Sequence, residues 1–179
     1  MFPEIPAVCK LGKSVIRILG CNPGIATLQG TNTYILGTGK ERLLVDTGDG
    51  KSDAYIRHLR STVNSENFTI SKILITHWHF DHTGGINRVL NLFNNKISIH
   101  KFPEPLIDKQ YEFNFLPLKH NEIFNIEGCG DIRILHTAGH SNDEIAIEIM
   151  DEKIIICGDT ILGHGTTVTF RMVIFCRSL

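Results

Sequence analysis

Apolar residues along this chain recur first at two-residue spacing, then at helical spacing, and return to short apolar runs towards the end. Residues 14–20 (Ser-Val-Ile-Arg-Ile-Leu-Gly) carry the alternation of a first strand. Cys21-Asn22-Pro23-Gly24 is then a turn, because proline fixes φ and glycine tolerates positive φ. Residues 31–36 and 42–46 predict two strands of a hairpin around Gly37-Thr38-Gly39-Lys40. Thr47-Gly48-Asp49-Gly50 breaks the pattern, and Ser52 is placed to cap a helix over residues 53–64. Tyr55, Ile56, Leu59 and Val63 share one face of that helix. Residues 70–76 predict the next strand, residues 85–93 a helix with Ile86, Val89, Leu90 and Phe93 inward, and residues 96–100 a short strand.

Prolines, charges and aromatics fill residues 101–121, which predicts a long loop of the kind that often carries function. Three more strands follow at residues 131–137, 144–150 and 153–157. Strands early, βα units in the middle and strands again predict an α/β (α+β) sandwich of sheets with helices outside. No repeat, low-complexity tract or linker interrupts the chain, so residues 1–179 are expected to form one domain.

The densest chemistry lies just past the apolar run Ile73-Leu74-Ile75, in Thr76-His77-Trp78-His79-Phe80-Asp81-His82-Thr83-Gly84-Gly85. Two residues apart at a strand end, His77 and His79 can point the same way. Asp81 and His82 sit on the turn into the next helix and aim at a second point nearby. Imidazole plus carboxylate suits zinc, with iron and manganese as competitors. Two adjacent ligand groups on one loop suggest two ions side by side, an arrangement that activates water for hydrolysis. His140, in Thr137-Ala138-Gly139-His140-Ser141, and Asp159, in Cys157-Gly158-Asp159-Thr160, also follow predicted strands. Three strand ends would thus present His and Asp at one sheet edge. His58, His100, His120 and His136 have no partner at metal spacing.

Composition narrows the setting. Hydrophobic residues make up 42% of the 179 and charged residues 21%, ordinary values for a globular chain with a sizeable core. The net charge of -1 supplies no global basic field to recruit nucleic acid, duplex DNA included, though a local basic groove stays open. Five scattered cysteines without a Cys-x-x-Cys pair point to a reducing, intracellular compartment, and Cys157 reads as a small apolar residue rather than a nucleophile. No apolar run approaches the ~18 residues of a membrane span, so no membrane partner is expected. Lys10, Lys13 and Arg17, interrupted by Pro3, Glu4 and Pro6, make a poor signal peptide and a weak mitochondrial presequence.

His77-x-His79-x-Asp81-His82, Asp46-Thr47-Gly48, Gly139-His140 and Gly158-Asp159 together resemble the metallo-β-lactamase-fold hydrolases. More narrowly, Gly20-Cys21-Asn22-Pro23-Gly24, Thr27-Leu28-Gln29-Gly30-Thr31-Asn32-Thr33-Tyr34 and Gly158-Asp159-Thr160-Ile161-Leu162-Gly163 are similar to an endoribonuclease subgroup of β-lactamase-like proteins. The similarity runs over roughly residues 14–169. It implies an αββα sandwich and two zinc ions, the first held by His77, His79 and His140 and the second by Asp81 and His82. Asp159 would bridge both ions, and Asp81 would belong to the catalytic apparatus. Asp46 would accept a hydrogen bond from a ligand imidazole, the alternative being a plain strand-to-turn aspartate. Asn32 and Thr33 can meet substrate near the cleft, although a polar hairpin pair explains them equally well.

The implied activity is cleavage of single-stranded RNA by water activated between the ions, in the mitochondrial matrix or alternatively the cytoplasm. Thioester hydrolysis of the glyoxalase II kind uses the same ligands, and neither composition nor spacing separates the two. The family also completes its second metal with a later histidine on a separate strand. Only twenty residues follow Asp159, and the one histidine among them, His164, shares its loop. The expectation is therefore a sandwich incomplete at the C-terminus, a divergent tail over residues 170–179, no C-terminal helical domain and a weakened second metal. A non-catalytic fragment binding one metal or none is the third reading.

Overall fold

The computed structural model describes residues 4–93, 97–162 and 167–168. Its elements in chain order are β1 (Val8–Lys10), β2 (Val15–Leu19), β3 (Asn32–Leu36), β4 (Glu41–Val45), α1 (Asp53–Glu66), β5 (Thr69–Ile75), α2 (Phe80–Thr83), α3 (Ile86–Phe93), β6 (Ser98–Lys101), α4 (Pro105–Asp108), β7 (Leu116–Pro117), β8 (Ile123–Ile126), β9 (Gly130–His136), β10 (Ile145–Ile149) and β11 (Ile154–Ile156). Strands β1 to β7 lie in chain order in one seven-stranded sheet, and β11-β10-β9-β8 form a second. The first four strands meander antiparallel, whereas β4 to β7 pair parallel. Parallel neighbours need a crossover, and α1 and then α2 with α3 supply the first two.

Two apolar layers hold the sheets in place. Tyr55, Ile56, Leu59 and Val63 of α1, with Ile86 and Val89 of α3, pack on Ile16, Ile18, Ile35, Leu44, Ile73 and Ile75. The opposite faces of the same strands, through Val15, Leu36, Leu43, Val45 and Leu74, meet Ile132, Ile134, Ile145, Ile147 and Ile149 of the second sheet. Alternation along β2 to β5 thus feeds both cores, which is why these strands look almost continuously apolar. Side chains on the outer face of the second sheet, such as Ile123 and Ile155, stay exposed.

Helix α1 starts and stops where side-chain chemistry dictates. Ser52 Oγ accepts the Tyr55 N–H at 3.2 Å, and Asn67 closes the helix in the left-handed region at φ 53°. The predicted helix over residues 85–93 is α3, which begins at Ile86, while Asp81 and His82 lie on the separate short α2 before Gly84-Gly85 rather than on a turn. A Cβ on Gly85 would stand 1.9 Å from Thr47 O, so the glycine lets the post-β4 loop press against the segment that carries His77 to His82.

Residues 101–121 are not one loop. Lys101 ends β6, Pro105–Asp108 is helical and Leu116–Pro117 adds a parallel edge strand. The charge of Lys101 disguised a buried strand position: its ammonium meets Asp108 at 2.6 Å, Asp143 at 2.8 Å and Phe102 O at 3.1 Å. Strands β1 and β8 also went unpredicted, one a three-residue edge and the other a hairpin partner of β9. The strand predicted at residues 96–100 begins at Ser98, and Lys96 lies outside the described residues, as do His164 and the tail over 170–179.

Candidate metal centre

Strand β5 ends at Ile75, and the chain leaves the sheet through Thr76 and His77 to His79 before turning into α2. His77 Nε2 lies 2.9 Å from His79 Nδ1, and His140 Nε2 lies 2.8 Å from the same atom. His140 reaches this point from the turn after β9. Hydrogen bonds at the far side of two rings select the tautomers. The His140 Nδ1–H donates to Val168 O at 2.8 Å, and the His77 Nδ1–H donates to Thr76 Oγ1 at 3.1 Å, whose own hydroxyl is given to Asp46. Both Nε2 lone pairs therefore face inward. Burial, then the neighbouring imidazoles, holds the His77 pKa far below 6.5, and burial with His140 and His82 lowers that of His79.

The three imidazoles aimed at one point cannot all be satisfied by one another, since a His79 Nδ1–H could serve only one of the two facing Nε2 lone pairs. Tetrahedral zinc with nitrogens at about 2.0–2.1 Å spaces them roughly 3.3 Å apart, close to the separations found here. The residues therefore fit a metal.

A second group adjoins the first. His82 is buried, donates Nδ1–H to Asp46 Oδ2 at 2.8 Å and leaves Nε2 buried without a hydrogen-bond partner among the described residues. That atom faces Asp81 Oδ2 at 3.3 Å and Asp159 Oδ1 at 3.5 Å. Asp159 Oδ2 stands 3.8 Å from His140 Nε2, so this carboxylate lies between the two groups. Ligand atoms of His77, His79 and His140 lie within 4.8 Å of one another, as do those of His77, His82 and Asp159. Burial opposes protonation of His82, but Asp46, Asp159 and Asp81 outweigh it and hold the pKa well above 6.5. Burial likewise opposes ionisation of Asp81, yet the His82 imidazole 3.3 Å away and the hydrogen bond from Thr31 keep its pKa below the usual carboxylate range. Three carboxylates around one imidazole call for positive charge, which a divalent cation would supply with His82 neutral.

The structure thus brings together His77, His79, Asp81, His82, His140 and Asp159, with Asp46 behind His82. Asp46 also accepts Thr76 N–H at 2.8 Å and itself adopts φ 59°. Asn32 is exposed and lines a cleft shared with Asp81 and Asp159. Thr33 does not reach that cleft: it is fully buried, and its hydroxyl donates to Ile18 O at 2.8 Å. As the neighbour of Asn32 on a strand, it points to the opposite face.

Its place is taken by Thr31, whose hydroxyl donates to Asp81 Oδ2 at 2.7 Å while receiving Asn22 Nδ2–H at 3.1 Å. Thr31, Thr76 and Glu144 went unnoticed in the sequence. A signal for Glu144 was present, since Asp143 and Glu144 are adjacent acids opening an apolar strand. Glu144 is fully buried and accepts Asp159 N–H at 2.6 Å, and burial pushes its carboxyl up to about 7. Three other histidines have other occupations: His100 meets Ser98 Oγ at 3.0 Å, His120 Nδ1 accepts the His136 N–H at 3.1 Å, and His136 meets Asn142 O at 2.7 Å and stacks on Phe102. Cys157 is half-buried, and burial raises its thiol pKa.

A two-sheet sandwich with a His/Asp cluster where its strands end defines a metallohydrolase class of fold. The chain belongs to the metallo-beta-lactamase superfamily, whose domain matches residues 26–171. Members of this superfamily are generally hydrolases. The sequence is 42% identical over 182 residues to a beta-lactamase-like protein 2 homolog of Drosophila melanogaster, covering 98% of this chain and 62% of the relative. It is also 42% identical to an atrochrysone carboxyl ACP thioesterase of a Cryptosporiopsis species, covering 99% of this chain and 52% of that one. A beta-lactamase domain protein from Burkholderia ambifaria shares the fold at TM-score 0.76 and 17% identity, over 93% of this chain and 62% of that one. The chain therefore spans about half to three-fifths of the curated relatives it matches.

Proposed function

We propose that this chain carries the hydrolytic centre of a metal-dependent endoribonuclease acting on single-stranded RNA. One observation supports this choice of substrate above the superfamily level. The stretch Thr27 to Asn32, where the resemblance to the endoribonuclease subgroup is concentrated, forms a wall of the cleft that Asp81 and Asp159 also line. The motif that narrows the subgroup thus sits where substrate would be met. His77, His79 and His140 would hold one zinc ion, and Asp81 and His82 the other, with Asp159 between. Divalent cations held there would supply a lowered pKa for bound water and Lewis-acid polarisation of the scissile bond. The chain's own residues keep the imidazole lone pairs inward, through Val168 O, Thr76 and Asp46, and keep Asp81 ionised through Thr31.

Thioester hydrolysis is the second reading, and the cleft lining favours it. Among the described residues, Arg17 is the one cation lining the cleft beside Ile5, Ala26, Leu28 and Leu162, whereas a polyanion is generally met by several cations. A relative printed as an ACP thioesterase points the same way. The deciding experiment incubates the zinc-loaded chain with a single-stranded RNA oligonucleotide and, separately, with an acyl thioester. Chelator-sensitive RNA cleavage without thioester turnover is expected. Thioester turnover alone overturns the RNA reading, and turnover of neither by a zinc-loaded chain removes catalysis from this chain.

A further inference from the structure

Glu144 stands at the start of β10, and its carboxylate is fully buried. An apolar side chain would fill such a place without the cost of burying a carboxyl. Its contacts single it out. Oε1 accepts the Asp159 N–H at 2.6 Å, while Oε2 is buried with no hydrogen-bond partner among the described residues. Gly158, just before Asp159, has φ +53°, and a Cβ on it would stand 2.8 Å from Glu144 Oε1 and 3.2 Å from Thr76 Cβ. The turn that delivers Asp159 is therefore pressed onto Glu144 and onto the residue preceding His77.

The backbone extends the pattern. Glu144 O accepts the Thr137 N–H at 2.8 Å, at the start of the turn that carries His140. Its neighbour Ile145 donates N–H to Thr76 O at 3.0 Å, beside His77. The position thus touches all three segments that deliver His77, His140 and Asp159. The only bond it makes through its side chain to a would-be ligand is to Asp159.

We propose that Glu144 is a positioning residue, which sets the Asp159 carboxylate between His82 and His140 by holding the Asp159 backbone. This rests on reading the His/Asp cluster as a metal centre. Glutamine keeps an oxygen acceptor at the same reach, whereas leucine fills the space and removes it. Cobalt(II) titration of the metal-free chain, followed by calorimetry and by the visible spectrum of the bound ion, separates positioning from mere packing. Glu144→Leu should keep the wild-type melting temperature in chelator, lose about tenfold or more in affinity for the ion touching Asp159, and change its spectrum. Glu144→Gln should restore both.

Wild-type affinity and spectrum in Glu144→Leu would overturn the proposal alone. Equal losses in the Leu and Gln variants would do the same. A wild-type chain that takes up no cobalt overturns the metal reading and the proposal with it. Should Glu144→Leu fail to fold, Gly158→Ala displaces the same turn from the same carboxylate: weakened cobalt binding supports the proposal, and unchanged binding overturns it.

Discussion

Asp46 Oδ2 lies 2.8 Å from His82 Nδ1, and the two buried side chains are joined to the metal loop a second time through Thr76. The aspartate accepts three hydrogen bonds, from His82, from Thr76 N–H and from the Thr76 hydroxyl. Asparagine tolerates its left-handed backbone but replaces one accepting oxygen by a donor. Asp46→Asn should therefore cost about 1–3 kcal/mol of stability and 10–100-fold in metal affinity. Denaturant unfolding and competition with a chelating dye measure the two effects. Wild-type affinity would show that His82 needs no orienting carboxylate.

His77 belongs to both groups of converging ligand atoms. His77→Ala should consequently remove zinc from the three-imidazole group and weaken the second, since a zinc site commonly keeps at least three protein ligands. Metal analysis after gel filtration is the check. Zinc content equal to that of the wild type would take His77 out of the centre.

Stability of the metal-free chain should respond to acid through the same residue. Burial, then neighbouring imidazoles, lowers the His77 pKa, so the unfolded chain takes up a proton near pH 6.5 that the folded chain refuses. Stability then falls as pH drops below 6.5. His82 acts in the opposite sense, its raised pKa contributing stability that is full below 6.5 and lost as pH rises through the folded value. The His77 contribution is isolated by comparison with His77→Gln. Between about pH 6.5 and 5 the variant should lose up to about 1.4 kcal/mol less per pH unit than the wild type in chelator. Parallel urea-unfolding curves for the two proteins across that range would contradict the assignment.

Lys101 is fully buried between Asp108 and the equally buried Asp143. Lys101→Met leaves Asp143 as an unpaired interior charge and should cost about 3–5 kcal/mol. The double variant Lys101→Met, Asp143→Asn should recover a substantial part of that loss, because the stranded charge is gone. Chemical denaturation decides it, and a double variant no more stable than the single would show that packing of the lysine stem dominates.

The course of β2 to β5 was legible because their alternation feeds two cores at once, and α1 because Ser52 and the 3.6-residue apolar stripe agree. Residues 101–121 were not, since a buried Lys101 and an edge strand containing Pro117 mimic loop chemistry. In the centre, the six His and Asp residues stood out because their side-chain types and spacing announce metal chemistry. Thr31 and Thr76 did not, because a hydroxyl acquires its role only from the partner the fold gives it. Thr33 turns to the core by alternation from Asn32, which leaves the alternative of a structural polar pair for it, while Thr31 two positions earlier meets Asp81.

The ligands come from both layers of the sandwich. His77, His79, Asp81 and His82 follow a strand of the seven-stranded sheet, while His140 and Asp159 follow strands of the four-stranded one. An ion gripped by all of them would be held in full only after the two sheets have closed on each other. Metal uptake would then be a clock for assembly: its rate in a refolding chain would report when the layers dock, and metal released during unfolding would mark the moment they part.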